Sequence, residues 1–518
     1  MIKRSLLAAS IAALTSQAAV AAPFMPMDAR GLAMGNTGVA SAKRAHAPAY
    51  NPSLLSQAED DDDFALIFPQ IGVNVSDEEK IADEAQDISD DIFPAFEDAI
   101  DGINGNIGLE QSLINLENSI NALQSSTTVT DLQTNNAQVK IDLAAAKDNL
   151  NITKSSVDDL TSSLTKISGN PLSARLGIGG ALAIPSKKFA AAISLSGSAN
   201  VSARVNFSDA DLELLGNYFD SANGFLSQAE DVTNQIDALQ TTDDPSSIIS
   251  ELAGLDTYND PNGLINPDGT LSTTASNPDL TSYAEIVAVS VVDLGLSFSR
   301  EFTFGEEKVA IGITPKLQKI STYHYAEEVD GFEDVEADDL KDSREDYSKV
   351  NLDVGASWRF GSEDKWMLGL VGKNLLGGKF DYSDVEVQPK DSDGNIIVGG
   401  TPVTLSGGSV SLDPQYRAGI AYNGNWASFA LDVDLTENDP VAYENPTQYA
   451  ALGVELDVFS TLQLRAGYRT NMSVTDADMV SVGFGLSPFG VHIDIAAMAN
   501  PNDVEKEAGV ALETGFYF

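Results

Sequence analysis

Only three imidazoles, His46, His324 and His492, and no cysteine occur in the 518 residues. Acid–base and nucleophilic chemistry therefore have few places to start. Disulfide staples, thiol catalysis and thiolate metal sites are excluded because the sulfur atoms are missing. His492 and Asp494 stand two apart, a spacing that in an extended strand puts both on one face as a base and its orienter. No serine can be assigned to that pair, and no metal-ligand spacing surrounds any histidine, so the expected molecule is not an enzyme and needs no metal or cofactor. Carboxylates cluster at Asp60 to Asp63 and in DSDGN at 391–395, hard oxygen ligands of the kind a divalent cation takes. Neither run has the closing glutamate of an EF-hand loop, and both are taken as turns. Gly372-Lys373-Asn374 lacks the upstream glycine and the Ser or Thr of a phosphate loop.

The larger chemical signal is charge: 77 acidic against 30 basic residues, formally -47. Phosphate backbones are bound by basic surfaces that release counterions, so direct nucleic-acid binding is not expected. Residues 1–22, MIKRSLLAASIAALTSQAAVAA, join Lys3 and Arg4 to an apolar stretch from Leu6 to Leu14 and an Ala19-x-Ala21 cleavage pattern, which reads as a secretory signal peptide. Removal near Ala22 or Pro23 deletes two positive charges and takes -47 to -49. No later apolar run reaches the ~20 residues that a spanning helix needs. A membrane form would have to be a barrel.

The elements that would position polar side chains alternate with period two. Val350, Leu352, Val354, Ala356, Trp358 and Phe360 share one face against Asn351, Asp353, Gly355, Ser357 and Arg359, and the same sorting recurs to the C-terminal Phe518. Fourteen strands are predicted, at 64–75, 174–184, 189–206, 283–299, 308–325, 347–360, 366–376, 413–422, 426–435, 447–458, 461–470, 479–487, 490–499 and 507–518. Short connections alternate with long ones at 76–173, 207–282, 326–346, 377–412, 436–446, 471–478 and 500–506, the pattern of an all-β, fourteen-stranded transmembrane antiparallel barrel. Its barrel domain covers 59–518, and both chain ends fall on the short-turn, periplasmic side of a Gram-negative outer membrane. The polar face then carries Asp353, Arg359, Lys373, Arg417, Asp432, Asp434, Glu455, Asp457, Arg465, Arg469 and Asp494 into the lumen. A one-residue slip would turn Arg465 and Arg469 toward lipid, at roughly 2–4 kcal/mol near the midplane for each.

Two insertions break the alternation. In 76–170, Leu113, Leu116, Ile120 and Leu123 step by three and four, and Leu143 to Ile167 continue the rhythm. This predicts a helical hairpin joined near Ser125 to Leu132, its narrow stripe consumed by its own two helices. A less regular helix is expected at 211–240 within the second insertion, 207–282. Acidity concentrates here: 18 acidic and 5 basic residues in 76–170, and 11 and 2 in 326–346, as in solvated loops. The hairpin is either a lid on the rim or a projection that binds a partner.

Ahead of the first strand, ARGLAMGNTGVA and a YNP element resemble the start of FadL-type outer-membrane transporters. These are fourteen-stranded barrels for long-chain fatty acids and other hydrophobic compounds, with an N-terminal hatch folded into the lumen. This resemblance implies a hatch at 23–58, with Arg30, Gly31, Gly35, Gly38, Asn51 and Pro52 as its candidate residues. Ser53 stands where that family's Asn-Pro-Ala motif has alanine. The glycines also suit tight turns in a crowded lumen, and Pro52 stiffens the chain just after it. Over most of the chain, the glycine run, GLVGKNLLGG at 369–378, QYRAGIAY at 415–422, LRAGYRTN at 464–471 and the GFYF ending are similar to the barrel family known as conjugal transfer protein TraF. The thioredoxin-like proteins that share that name do not look like this chain.

Two functions are expected from these readings. In one, the barrel contacts outer-membrane lipid and passes small solutes, hydrophobic small molecules among them, past a movable hatch. In the other, it is a plugged scaffold that docks envelope or conjugation proteins through residues 76–170.

Overall fold

The computed structural model describes residues 25–57, 64–102, 106–240, 260–264, 272, 278, 280–305, 307–329, 337–390, 395–459 and 461–517. The signal peptide, the Asp60 to Asp63 run, residues 391–394 and Phe518 lie outside the described residues. Fourteen antiparallel strands close into one barrel. They are β1 (Ala65–Ser76), β2 (Pro171–Ile184), β3 (Ala190–Asn206), β4 (Tyr283–Phe304), β5 (Glu307–Glu328), β6 (Arg344–Phe360), β7 (Trp366–Lys373), β8 (Gln415–Asn423), β9 (Ala427–Asp434), β10 (Tyr449–Val458), β11 (Leu462–Asn471), β12 (Asp478–Leu486), β13 (Val491–Ala499) and β14 (Glu507–Tyr517). Each pairs with its chain neighbours, and β1 closes the ring on β14 with Ala65 opposite Tyr517. Every predicted strand is present, with ends displaced by a few residues. The largest displacement is at β4 and β5, which run to Phe304 and start again at Glu307, so the expected eight-residue turn is a tight hairpin.

Alternation decides the facing. On β11 to β13, Leu464, Tyr468, Val480, Val482, Phe484, Ile493 and Ile495 are exposed on the outside, whereas Arg465, Arg469, Ser481 and Asp494 are buried inside. The rim that carries the short turns also carries an aromatic belt. Trp358, Phe360, Trp366 and Tyr422 run in contact along it, with ring centroids 5.0, 6.3 and 5.3 Å apart, and Phe459 and Phe489 at the turn tips are almost wholly exposed. Both described chain ends of the barrel meet at this rim.

At the opposite rim stand three long helices, α1 (Leu109–Gln124), α2 (Val129–Ile167) and α3 (Asp209–Ala238). Thr128 caps α2 through the amide of Asp131 at 3.1 Å, which satisfies one of the orphan donors of its first turn. The hairpin of α1 and α2 differs from expectation in two ways. Leu113 is partly exposed and the stripe runs through Leu116, Ile120 and Leu123 instead. The stripe is also shared, because Leu226, Ala229, Val232 and Ile236 of α3 pack into the same core as Leu132, Val139, Leu143 and Leu150. Asn136 pins α2 to α3 by donating to the Thr233 carbonyl at 2.9 Å.

The connection between β7 and β8, expected as one more outer loop, turns inward. Its hairpin of Lys379–Tyr382 with Gly408–Ser411 sets Phe380, Val410 and Leu412 against the inward-facing Val289, Val291 and Ile320. Its carbonyls are held from the wall: Thr322 donates to Asp381 O at 2.7 Å, and His324 Nδ1 lies 2.7 Å from Ser383 O.

Candidate functional site

The lumen is where the polar faces of all fourteen strands converge, and residues 25–57 lie inside it. Small inward residues make room for them: Ala421, Ala430, Ala496 and Ala511 of the wall are buried against this segment's core, which includes Leu32, Tyr50, Leu54 and Leu55. The segment begins with a one-turn helix, Ala29–Ala33, capped by Asp28 Oδ1 on the Gly31 amide at 2.7 Å. The other oxygen of Asp28 accepts from the Tyr50 hydroxyl at 2.5 Å. Burial and that carboxylate push the Tyr50 hydroxyl well above its ordinary pKa, so it stays a donor. The Tyr50 ring fills the notch left by Gly31 and Gly38, where an added Cβ would stand 1.6 Å from the hydroxyl and 2.2 Å from the ring. Gly35 sits at φ +67, against the backbone of Tyr468. Asn51 caps the short helix Pro52–Ser56 and donates to Val39 O and Ala356 O at 2.9 and 3.2 Å.

Most of the anticipated lumen charges bear on this segment. Glu455 joins Arg30 at 3.0 Å to Arg465 at 2.7 Å, and Arg465 continues to Asp494. Asp432 Oδ2 accepts the amides of Gly38 and Val39 at 2.7 and 2.9 Å, as a carboxylate accepts from a backbone nest. Arg417 pairs with Asp434 and reaches Asn36 O at 3.4 Å, while Arg469 donates to Asn36 Oδ1 at 2.8 Å. Lys373 donates to Ala49 O at 2.8 Å, and Arg359 to Gln57. Asp353 instead binds Lys316 at 3.1 Å, and Asp457 bears on Gln463 near the turn rim.

Sequence reasoning missed Asp28, Tyr50, His46 and Glu513. Glu513 was findable by parity, since it alternates with Leu512 and Thr514. Its partner was not, because His46 Nε2, 2.7 Å from Glu513 Oε1, arrives from a segment with no strand period. Asp28, His46 and Glu513 bring one ring nitrogen and two carboxylates within 4.8 Å of one another, so they are the described residues best placed to hold a metal. Their carboxylate oxygens already have donors in Gly31, Tyr50, His46 and Gln70. The anticipated pair of His492 and Asp494 has the wrong geometry for a relay. Both Ser487 Oγ, at 3.0 Å, and Asp494, at 3.8 Å, approach the same nitrogen, Nδ1.

Burial opposes a charge on His46, but the Glu513 carboxylate outweighs it and, with Asp28, holds the imidazole above its ordinary pKa of 6.5 despite Arg30 nearby. A raised value in the docked state means the contact contributes fully below pH 6.5 and is lost as pH rises through the raised value. Protease cleavage within residues 25–57 is therefore expected to accelerate from pH 6 to pH 9. His46→Gln should flatten that slope, and an unchanged slope in the variant would refute the assignment.

A third layer closes the loop rim. The β9–β10 connection, residues 435–448, crosses to β2 and β3, half the ring away. There Glu444 accepts from Arg175 at 2.6 Å, and Tyr443 lies under the Arg204 guanidinium at 3.6 Å. Arg204 is itself held by Glu285 at 2.8 Å.

The family model described as F plasmid transfer operon, TraF, protein matches residues 48–434. No curated protein matches the sequence. Among solved structures, the chain is similar to the toluene transporter TbuX of Ralstonia pickettii (8% identity, TM-score 0.43, covering 96% of this chain and 99% of that one). It is also similar to the P. putida toluene transporter TodX (11%, 0.41, 96% and 99%) and to a Pseudomonas aeruginosa FadL homologue (11%, 0.42, 96% and 99%).

Proposed function

The chain belongs to the family described as F plasmid transfer operon, TraF, protein, and we propose that it is an outer-membrane barrel that passes small solutes under the control of its own residues 25–57. One observation carries this reading: a wall that is apolar outside encloses a segment whose apolar side chains pack on small wall residues and whose backbone and charged groups are tied to the wall by hydrogen bonds and ion pairs. The polar ties can be exchanged for water at modest net cost. The turn rim with its aromatic belt is assigned to the periplasmic interface, the helices to the exterior, and residues 1–22 to export.

The test is solute-driven swelling of liposomes that carry the purified protein. Deleting residues 25–57 is expected to raise the rate by at least about tenfold, the change from a minor open state to a dominant one. Equal rates with an assembled barrel would overturn the proposal. Membrane embedding has its own test. Val482→Arg, on the exposed face of β12, should cost roughly 2–4 kcal/mol and reduce the assembled fraction in outer membranes. Full assembly of that variant would contradict a lipid-facing wall.

A second reading, docking of an envelope or conjugation protein on the helices, is favoured by Ile141 and Ile152. They are eleven residues apart on one face of α2 and both largely exposed. Ile141→Lys with Ile152→Lys is expected to release such a partner in pull-downs while swelling stays unchanged.

A further inference from the structure

Between the N-terminal segment and the inward hairpin the lumen keeps a cavity of about 170 Å³. Met27 and Ala49 bound it on one side and Leu412 on the other. The β2–β4 wall leaves it open because its inward positions here are Gly177, Gly179, Ser194, Ser196, Ser198 and Gly295. The charged part of the lining is Asp28, Asp293, Asp353, Lys316 and Lys373. Lys316 Nζ stands 3.1 Å from Asp293 and 3.1 Å from Asp353, and Lys373 faces the same space with its ammonium on Ala49 O. Lys316 and Asp353 are nearly inaccessible to bulk water.

We propose that this chamber binds a small zwitterion, a molecule with one ammonium and one carboxylate in the manner of a free amino acid. The inference rests on the transport reading and names its substrate class. Apart from Asp28, whose oxygens already accept from the Gly31 amide and the Tyr50 hydroxyl, two ammonium groups and two carboxylates line the chamber. An apolar occupant would strip water from Asp293 and Lys373, the more accessible of these groups, and return no hydrogen bond, which is the costly case of polar burial. A simple anion meets two carboxylates, and a simple cation meets two ammoniums, each at short range where like charges repel. A zwitterion presents a carboxylate to Lys373 and Lys316 and an ammonium to Asp293 and Asp353, replacing the water it displaces at both ends. Size is compatible: a cavity of about 150 Å³ admits one six-carbon ring, so a single molecule of the size of valine fits.

The experiment is calorimetric titration of the detergent-purified full chain with L-valine, isobutylamine, isobutyrate and toluene, alongside liposome swelling with the same solutes. Valine is expected to bind at least about tenfold more tightly than any of the other three, the effect of one extra charge-assisted contact. Asp293→Asn and Lys373→Met should each weaken valine by about tenfold on the same grounds and narrow the gap to the singly charged probes. Retention of the heat-modifiable barrel band on gels shows that each variant has folded. Toluene binding as tightly as valine, or no valine binding by the wild type, overturns the proposal even if swelling occurs. Valine binding without swelling by any solute would leave the chamber standing and remove the transport reading.

Discussion

Glu455→Gln is expected to free the N-terminal segment from the lumen. The carboxylate is the only group among the described contacts that joins Arg30 of that segment to Arg465 of the wall. Removing its charge leaves two buried guanidiniums facing each other with one fewer partner, and breaking one side of a buried pair costs about 3–5 kcal/mol. The backbone ladder of β10 with β9 and β11 does not involve the side chain, so the barrel itself should still assemble. The measurement is limited proteolysis of the purified protein. Cleavage between residues 25 and 57 should rise by about two orders of magnitude, the equivalent of that energy less what entering water returns to the arginines. Wild-type resistance in the variant would mean that the lumen charges do not hold the segment.

Gly38→Ala tests packing instead of charge. The added carbon would sit 2.2–2.6 Å from three atoms of the Tyr50 ring, and Tyr50 is fully enclosed and tied to Asp28. Overpacking of this kind costs typically about 1–3 kcal/mol, here at the docking of residues 25–57 and not at the wall. Thermal release of the segment, followed by the same proteolysis, should shift down by several degrees. Tyr50→Ala alone loses the packing of a buried ring as well as a hydrogen bond, but it empties the notch, so the double variant should be less labile than the sum of the two single ones. If the double variant is as labile as the sum of the two single ones, the contact is not what places the segment.

The wall was legible from sequence because strand facing is a local property. Knowing that Leu464 faces out is enough to turn Arg465 in, and the same rule places Asp432, Asp434, Glu455 and Asp494. Partners were not legible. Glu455 finds Arg30 across 425 residues, and nothing in either neighbourhood encodes that meeting. The inward hairpin escaped for a related reason: residues 374–414 have the length and polarity of an outer loop, and only the row of Val289, Val291 and Ile320 on the lumen face of β4 and β5, apolar where polar residues were expected, hinted at a cover. The helix at 209–238 was found, but its place in the core of α1 and α2 depended on which loops rise side by side at the rim.

The strap of residues 435–448 has a mechanical consequence. A hollow cylinder pressed from the side flattens most easily at an unsupported end, and here the loop end is spoked across its width by Glu444 on Arg175 and Tyr443 on Arg204. Lateral pressure from the bilayer then falls on a braced ring, and with the spoke undone the opening would relax toward an oval.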